Sequence, residues 1–332
     1  MNAPIRIALI GFGFMGKMHA AVYRRLPNVE VLAVVDPRME LMHEAVRESG
    51  LTCPVFSTYA EAANACDFSV ADICLPTDLH RTNVLEALAN GNHVFCEKPI
   101  SLTRDDAREM VDAARLTNRL LMIGHCIRFW PEYVELKRAV DSGEYGRLLA
   151  LSMGRRNGRP GYSIGDWVNQ PERCLGAALD LHIHDSDFIL HLLGRPEAVF
   201  SRGLRDQTGW SSIATQYVYE GRVVTAEGAW NCPPASGFHM RFSAVFERAV
   251  LDFDSRSGSS LVLTVDGGEP RPIKLAESAT DGYFHELSYF VSCIEHGEPV
   301  ATSTGEQAAA SLDLVLTEIE SAETGRLIHL HQ

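Results

Sequence analysis

Gly11-Phe12-Gly13-Phe14-Met15-Gly16 follows directly on the apolar run Ile5-Arg6-Ile7-Ala8-Leu9-Ile10 and opens a stretch with helical spacing. Three glycines so spaced between a strand and a helix are the pattern of a dinucleotide-binding turn. Gly11 permits the tight turn, Gly13 lets the backbone approach a pyrophosphate, and Gly16 lets the helix pack on the strand. The helix amino terminus then offers N–H groups and positive partial charge to the phosphates. Phe12, Phe14 and Met15 complete the candidate cradle.

Asp36 closes the second apolar run, 20 residues after Gly16. A carboxylate there can accept hydrogen bonds from ribose hydroxyls and repels a 2′-phosphate, which favours NAD. Arg38, two residues on, could instead pair with such a phosphate, so NADP stays open as second choice.

Further along, short apolar runs alternate with helical patterns. Strands are expected at 5–10, 29–35, 70–74, 93–96 and 120–123, and helices at 17–25, 38–48, 79–90 and 103–117. Repeated βαβ units with near-continuously apolar strands imply a parallel sheet covered on both faces. Past residue 123 the texture changes. Helices are expected at 132–141, 177–193, 284–295 and 306–324. Strands are expected at 148–153, 199–203, 213–219, 223–230, 239–246, 250–254 and 261–265, with an irregular segment at 155–173. Short connections and polar alternation favour antiparallel pairing there. The expected division is thus 1–123, binding a dinucleotide, and 124–332, an α+β domain for substrate binding and oligomerisation with a large, mostly antiparallel open sheet.

A chain of 332 residues is long enough for two cores. Its formal net charge of −13 argues against a nucleic-acid surface, which needs a basic patch. No apolar run approaches the ~18 residues of a membrane span. The start of the chain lacks the pattern of a secretion signal. The eight cysteines are scattered without a C-x-x-C, which reads as reduced thiols in a cytoplasmic protein.

Val94-Phe95-Cys96-Glu97-Lys98-Pro99 places a lysine at the end of a buried strand, on the edge where ligands bind in such sheets. Pro99 follows that strand edge. Together with Gly11–Gly16, the segment Pro76-Thr77 to His80, and Asp180-Leu181-His182-Ile183-His184, this stretch resembles the Gfo/Idh/MocA oxidoreductases, which include inositol and other sugar dehydrogenases. The two-domain order extends the resemblance along essentially the whole chain. It implies a Rossmann-type doubly wound sheet, and a reaction centre made of Lys98, Asp180 and His184. It also implies that Pro76, Thr77, His80, Glu97 and Lys98 flank the nicotinamide, and that subunits pair through the second sheet into a homodimer or homotetramer.

The residues agree with that chemistry. Asp180 and His184 stand i, i+4 and share a face of a helix. Oxidising a secondary alcohol needs a base for the hydroxyl proton, and histidine is suited to it near neutral pH. Lys98 can stabilise alkoxide character as hydride leaves, and Asp180 can hold the substrate hydroxyls. Many relatives carry a small residue where this chain has His182, which either lines the other face of the helix or reaches the substrate. The cluster His182, His184 and Asp185 resembles no standard zinc motif, and no metal is expected.

The candidate substrate walls are His125, Arg128, Phe129 and Trp130, with Arg155, Arg156, Tyr162 and Trp167. An aromatic face with hydrogen-bonding side chains suits a sugar or cyclitol ring, and the arginines could hold a carboxylate or phosphate. Two other functions remain open. One is an NAD-dependent glycosidase that oxidises transiently, with Tyr162 or His182 as the extra base. The other is a non-catalytic NAD-binding regulator.

Overall fold

The computed structural model describes residues 3–161, 163–257, 261–275 and 281–330. They form two compact units that are discontinuous in sequence. Of the described residues, the first holds 3–126, 163–167 and 282–310; the second holds 127–161, 168–257, 261–275, 281 and 311–330. The leading segment of the first unit ends at Cys126, and two later segments also belong to it.

In the first unit, β1 (Ile5–Ile10), α1 (Phe14–Tyr23), β2 (Val29–Val35), α2 (Met39–Glu48), β3 (Val55–Phe56) and α3 (Tyr59–Ala65) make the first half. The second half is β4 (Val70–Ile73), α4 (His80–Ala89), β5 (His93–Glu97), α5 (Arg104–Thr117) and β6 (Leu121–Gly124). The strand order is β3-β2-β1-β4-β5-β6, every pair parallel. The order reverses between β1 and β4, and ligands of such sheets bind outside the strands' carboxyl ends at that switch point. The sequence reading lacked β3 and α3. A two-residue strand has no period to detect, and α3 is an alanine-rich turn with only Tyr59 and Ala62 buried.

In the second unit, α6 (Pro131–Ser142) precedes β7 (Leu148–Gly158), and α7 (Pro171–Cys174), α8 (Ala177–Asp180) and α9 (Ile183–Leu193) follow. Next come β8 (Ala198–Asp206), β9 (Gly209–Tyr219), β10 (Arg222–Cys232), β11 (His239–Phe246), β12 (Ala249–Asp254), β13 (Leu261–Val265) and β14 (Arg271–Pro272). The chain closes with α10 (Gly282–His296), α11 (Gly305–Thr324) and β15 (Ile328–His329). Of these last elements, α10 belongs with the first unit, where it packs on α1, and β15 with the second. Residues 305–310 of α11 belong with the first unit and 311–324 with the second.

The nine-stranded sheet runs β14-β13-β12-β11-β7-β10-β9-β8-β15. Only β7 and β10 pair in parallel; the other neighbours are antiparallel. Helices α7, α8 and α9 lie on its central strands. Tyr133 anchors the core between Phe188, Phe242 and Phe253, with ring centroids 5.0, 5.2 and 5.7 Å away. Strict alternation of buried and part-exposed positions along β11 leaves the opposite face accessible.

Candidate functional site

The first unit presents the phosphate cradle. Gly11 has φ +94°, and a Cβ there would lie 2.6 Å from the Cys74 carbonyl oxygen. On Gly16 it would lie 2.1 Å from the Gly11 carbonyl oxygen. Both positions therefore exclude a side chain. Gly13 differs, because a Cβ there meets nothing nearer than the Ile164 side chain at 3.7 Å. Its open space is what a pyrophosphate needs. Gly13 also caps α1 without a side-chain hydrogen bond, and no acidic residue occupies the first turn. That helix end suits an anion. The residues fit a dinucleotide.

Phe12 serves this cradle indirectly. Its ring is buried, and its N–H donates to Asp36 Oδ2 at 3.1 Å. Arg38 lies on the same carboxylate, with Nε donating to Oδ1 at 2.7 Å and the other arm paired to Oδ2. Burial raises the Asp36 pKa, but hydrogen bonds from the Arg38 side chain and backbone and from Phe12 outweigh it and hold the group low. An ionised Asp36 therefore ends β2 and engages the cation that could have served a 2′-phosphate.

Across the switch point, the loop after β4 leads to Pro76, which caps the short 3-10 turn Thr77–Leu79. His80 turns into the fold. It is buried, and its ring nitrogens reach the carbonyls of Pro99 and Leu75 at 2.8 Å each. It ties the loop after β4 to the loop after β5, a structural task. Glu97 likewise turns inward, accepting from the Lys98 N–H at 3.2 Å and bonding His19. Lys98 is half-buried, and the Lys98–Pro99 bond is cis. Lys98 stands two strands from Gly11, roughly 10 Å along the carboxyl edge. Asp36 lies on one side of the switch point and Lys98 on the other.

His125, just past β6, is buried, and Trp167 is part-buried, both in this unit. Tyr162 lies outside the described residues.

In the second unit, the expected helix over 177–193 is interrupted. The Ala177 carbonyl accepts from both Leu181 and His182, and the His184 N–H turns to Leu181 instead of Asp180. The regular i, i+4 relation of Asp180 and His184 is therefore broken by an extra residue in the turn. Asp180 is part-buried and His184 buried. His182 points into the unit, with Nε2 2.8 Å from Glu318 Oε2 in α11. Its Cβ would be 2.6 Å from a Cβ on Gly228, so the glycine in β10 makes room for it. This corrects the substrate role considered for His182.

Two further substrate candidates have other tasks. Arg128 grips Asp187 with Nε to Oδ2 at 2.8 Å and a second arm to Oδ1 at 2.6 Å, both side chains buried. Arg155, also buried, donates to Asp185 Oδ1 at 3.2 Å. Both buried pairs tie a guanidinium to α9, which speaks for a packing task. Arg156 is exposed and pairs with Glu227. Phe129 and Trp130 are part-buried.

Sequence reasoning missed His19, Asp72 and Ile164. A carboxylate inside Val70-Ala71-Asp72-Ile73 was a signal, since a charge in a buried strand needs a partner. Nothing local announced Ile164 at the glycine turn.

A glycine cradle at the switch point, an acid ending β2 and a lysine ending β5 define a Rossmann-fold oxidoreductase that binds NAD. The family model described as "Oxidoreductase family, NAD-binding Rossmann fold" matches residues 5–125, and that of the "GFO/IDH/MocA C-terminal domain" matches 133–252. The chain belongs to the Gfo/Idh/MocA family and is a dehydrogenase. It is 27% identical to D-glucoside 3-dehydrogenase of Escherichia coli (strain K12), over 99% of this chain and 98% of that one. It is 26% identical to inositol 2-dehydrogenase of Rhizobium meliloti (strain 1021), over 98% and 99%. The solved levoglucosan dehydrogenase in complex with NADH and levoglucosan superposes with a TM-score of 0.88 at 21% identity, covering 99% of this chain and 100% of that one. That last likeness concerns the fold.

Proposed function

We propose that the protein exchanges a hydride between one secondary alcohol of a sugar or cyclitol-like polyol and nicotinamide, with NAD preferred over NADP. The observation that supports this most directly is the half-buried Lys98 at the carboxyl end of β5, across the switch point from Asp36. Asp36 assigns the adenine ribose to the β2 side, so the nicotinamide half falls on the side of β4 and β5.

Bound NAD supplies the hydride acceptor. His184 takes the substrate hydroxyl proton on its imidazole, and returns it in the reductive direction. Lys98 donates a hydrogen bond to the same oxygen and stabilises its developing negative charge. Asp180 accepts from neighbouring substrate hydroxyls and orients them. His125 and Trp167 are the remaining candidates for contact with the ring. The open face of the second sheet is the proposed surface for a homodimer or homotetramer, and light scattering that finds only monomers at micromolar concentration rejects it. Eight unbridged cysteines support a cytoplasmic location.

The test is an NADH-fluorescence screen across inositols, aldoses and sugar phosphates, followed by Lys98→Ala and His184→Ala. Each substitution is expected to lower turnover by roughly 10²–10⁴-fold. Near wild-type rates in folded variants remove these roles. Net NADH formation from free sugars separates this reading from a glycosidase, which would release an aglycone with no net reduction.

A further inference from the structure

Beneath the cradle lies a buried polar cluster that neither the fingerprint nor the reaction uses. His19 projects from α1 between two strands: Nδ1 is 2.8 Å from Asp72 Oδ2 in β4, and Nε2 is 3.2 Å from Glu97 Oε1 at the end of β5. Side chains of His19 and Asp72 are fully buried, and that of Glu97 nearly so. Tyr23 donates to the same Asp72 oxygen at 2.9 Å, the Cys74 thiol donates to the other at 3.5 Å, and Phe95 packs its edge against the ring. Glu286, from α10, completes the surroundings.

Both imidazole nitrogens thus face carboxylate oxygens. Neutral histidine has only one N–H, so one nitrogen lone pair would confront a carboxylate across a dry gap. The imidazolium satisfies both. In that state the ring has no lone pair for a metal, although His19 with Asp72 and Cys74, or with Glu97 and Glu286, has the spacing of a ligand set.

The second oxygen of Glu97 shows what this achieves. Glu97 Oε2 accepts the Lys98 N–H at 3.2 Å, while His80 holds the Pro99 carbonyl at 2.8 Å from the other side. Lys98 is clamped through both neighbours. We infer that His19 is a positioning residue for Lys98: an imidazolium on the cofactor-binding helix that locks the Glu97 carboxylate and thereby the backbone from which the lysine projects. The inference rests on the role proposed for Lys98.

The chain offers a direct readout, because lysine occurs only at Lys17, Lys98, Lys137 and Lys274. Uniform ¹⁵N-lysine labelling of the whole protein gives one backbone amide resonance for each. In His19→Gln the Lys98 amide is expected to move while Lys137 and Lys274 stay. A Lys98 resonance that stays put while nearby Lys17 moves overturns the inference. Asp72→Asn, which weakens the hold on the imidazolium without touching Glu97 or Lys98, provides the same readout if His19→Gln does not fold.

The functional arm uses NAD reduction with myo-inositol, D-glucose and methyl β-D-glucoside. His19→Gln is expected to lower kcat by roughly tenfold to a hundredfold, the cost of a misplaced reacting group, while NADH affinity changes less than twofold. A Lys98→Ala background should erase the effect of His19→Gln. Full additivity would mean that His19 is structural only, and overturns the inference. Wild-type turnover in Lys98→Ala alone would instead refute the role of the lysine, leaving the amide shift to stand or fall separately.

Discussion

Gly16 stands so close to Gly11 that a Cβ on it would lie 2.1 Å from the Gly11 carbonyl oxygen. The backbone fixes both the Cβ and the oxygen, so no rotamer can relieve the clash. Gly16→Ala must push α1 off β1 and is expected to lower the melting temperature sharply. Gly13→Ala should leave stability nearly unchanged, since the nearest atom is 3.7 Å away, yet weaken NADH binding at least tenfold by filling the space left for the pyrophosphate. Thermal melts and calorimetric titration of the two variants test this, and equal behaviour would show that the cradle lies elsewhere.

Asp36 and Arg38 form one unit of cofactor selection. The guanidinium lies on the carboxylate through two contacts, so the arginine is engaged while the acid is present. Asp36→Ala removes the ribose acceptor and frees Arg38 for a 2′-phosphate. The expected result is weaker NADH binding and stronger NADPH binding, moving the preference by at least tenfold. Asp36→Ala/Arg38→Ala should bind both poorly. If wild-type protein already binds NADPH more tightly in calorimetry, the assignment fails.

Arg128 tests whether burial outranks chemistry as an explanation. Its pair with Asp187 is bidentate, and Ser311 adds a hydrogen bond to Asp187 at 2.6 Å. Removing one partner leaves an uncompensated buried charge, so Arg128→Ala should cost about 3–5 kcal/mol. Replacing both, Arg128→Met with Asp187→Leu, should recover much of that loss. Urea midpoints across wild type and the two variants test it. A stable Arg128→Ala with only a raised KM would restore the arginine to the substrate.

What was legible in the sequence was local. The turn from Ile10 to Gly16 carries its whole argument within a few residues, and β1, β11 and β13 match their apolar runs to the residue. The interruption at Leu181 and His182 was not legible, because the spacing of Asp180 and His184 is the same whether or not a bulge lies between them. The buried pairs were hidden for another reason. Arg128 meets Asp187 59 positions away, and His182 meets Glu318 136 positions away. A charged side chain looks available for substrate until the fold supplies its partner.

His19 makes the last prediction, through stability and pH. Burial works against its charge, but the Asp72 carboxylate and, to a lesser degree, Cys74 outweigh that and raise the pKa well above 6.5. A raised folded value means that the contribution is fully present below the unfolded value of about 6.5. As pH rises beyond that, the unfolded chain gives up its proton first, and the contribution is lost as pH passes through the folded value. The groups facing the ring are Asp72 from β4, Cys74 just past it, Glu97 from β5, Tyr23 from α1 and Glu286 from α10. Burial pushes both the Tyr23 hydroxyl and the Cys74 thiol up, so neither ionises in their ordinary ranges. The difference in melting temperature between wild type and His19→Gln should therefore be largest near pH 6 and shrink toward alkaline pH. A difference that stays constant or grows from pH 6 to 9.5 would mean that the histidine is neutral, and that Glu97 is held by something other than a buried cation.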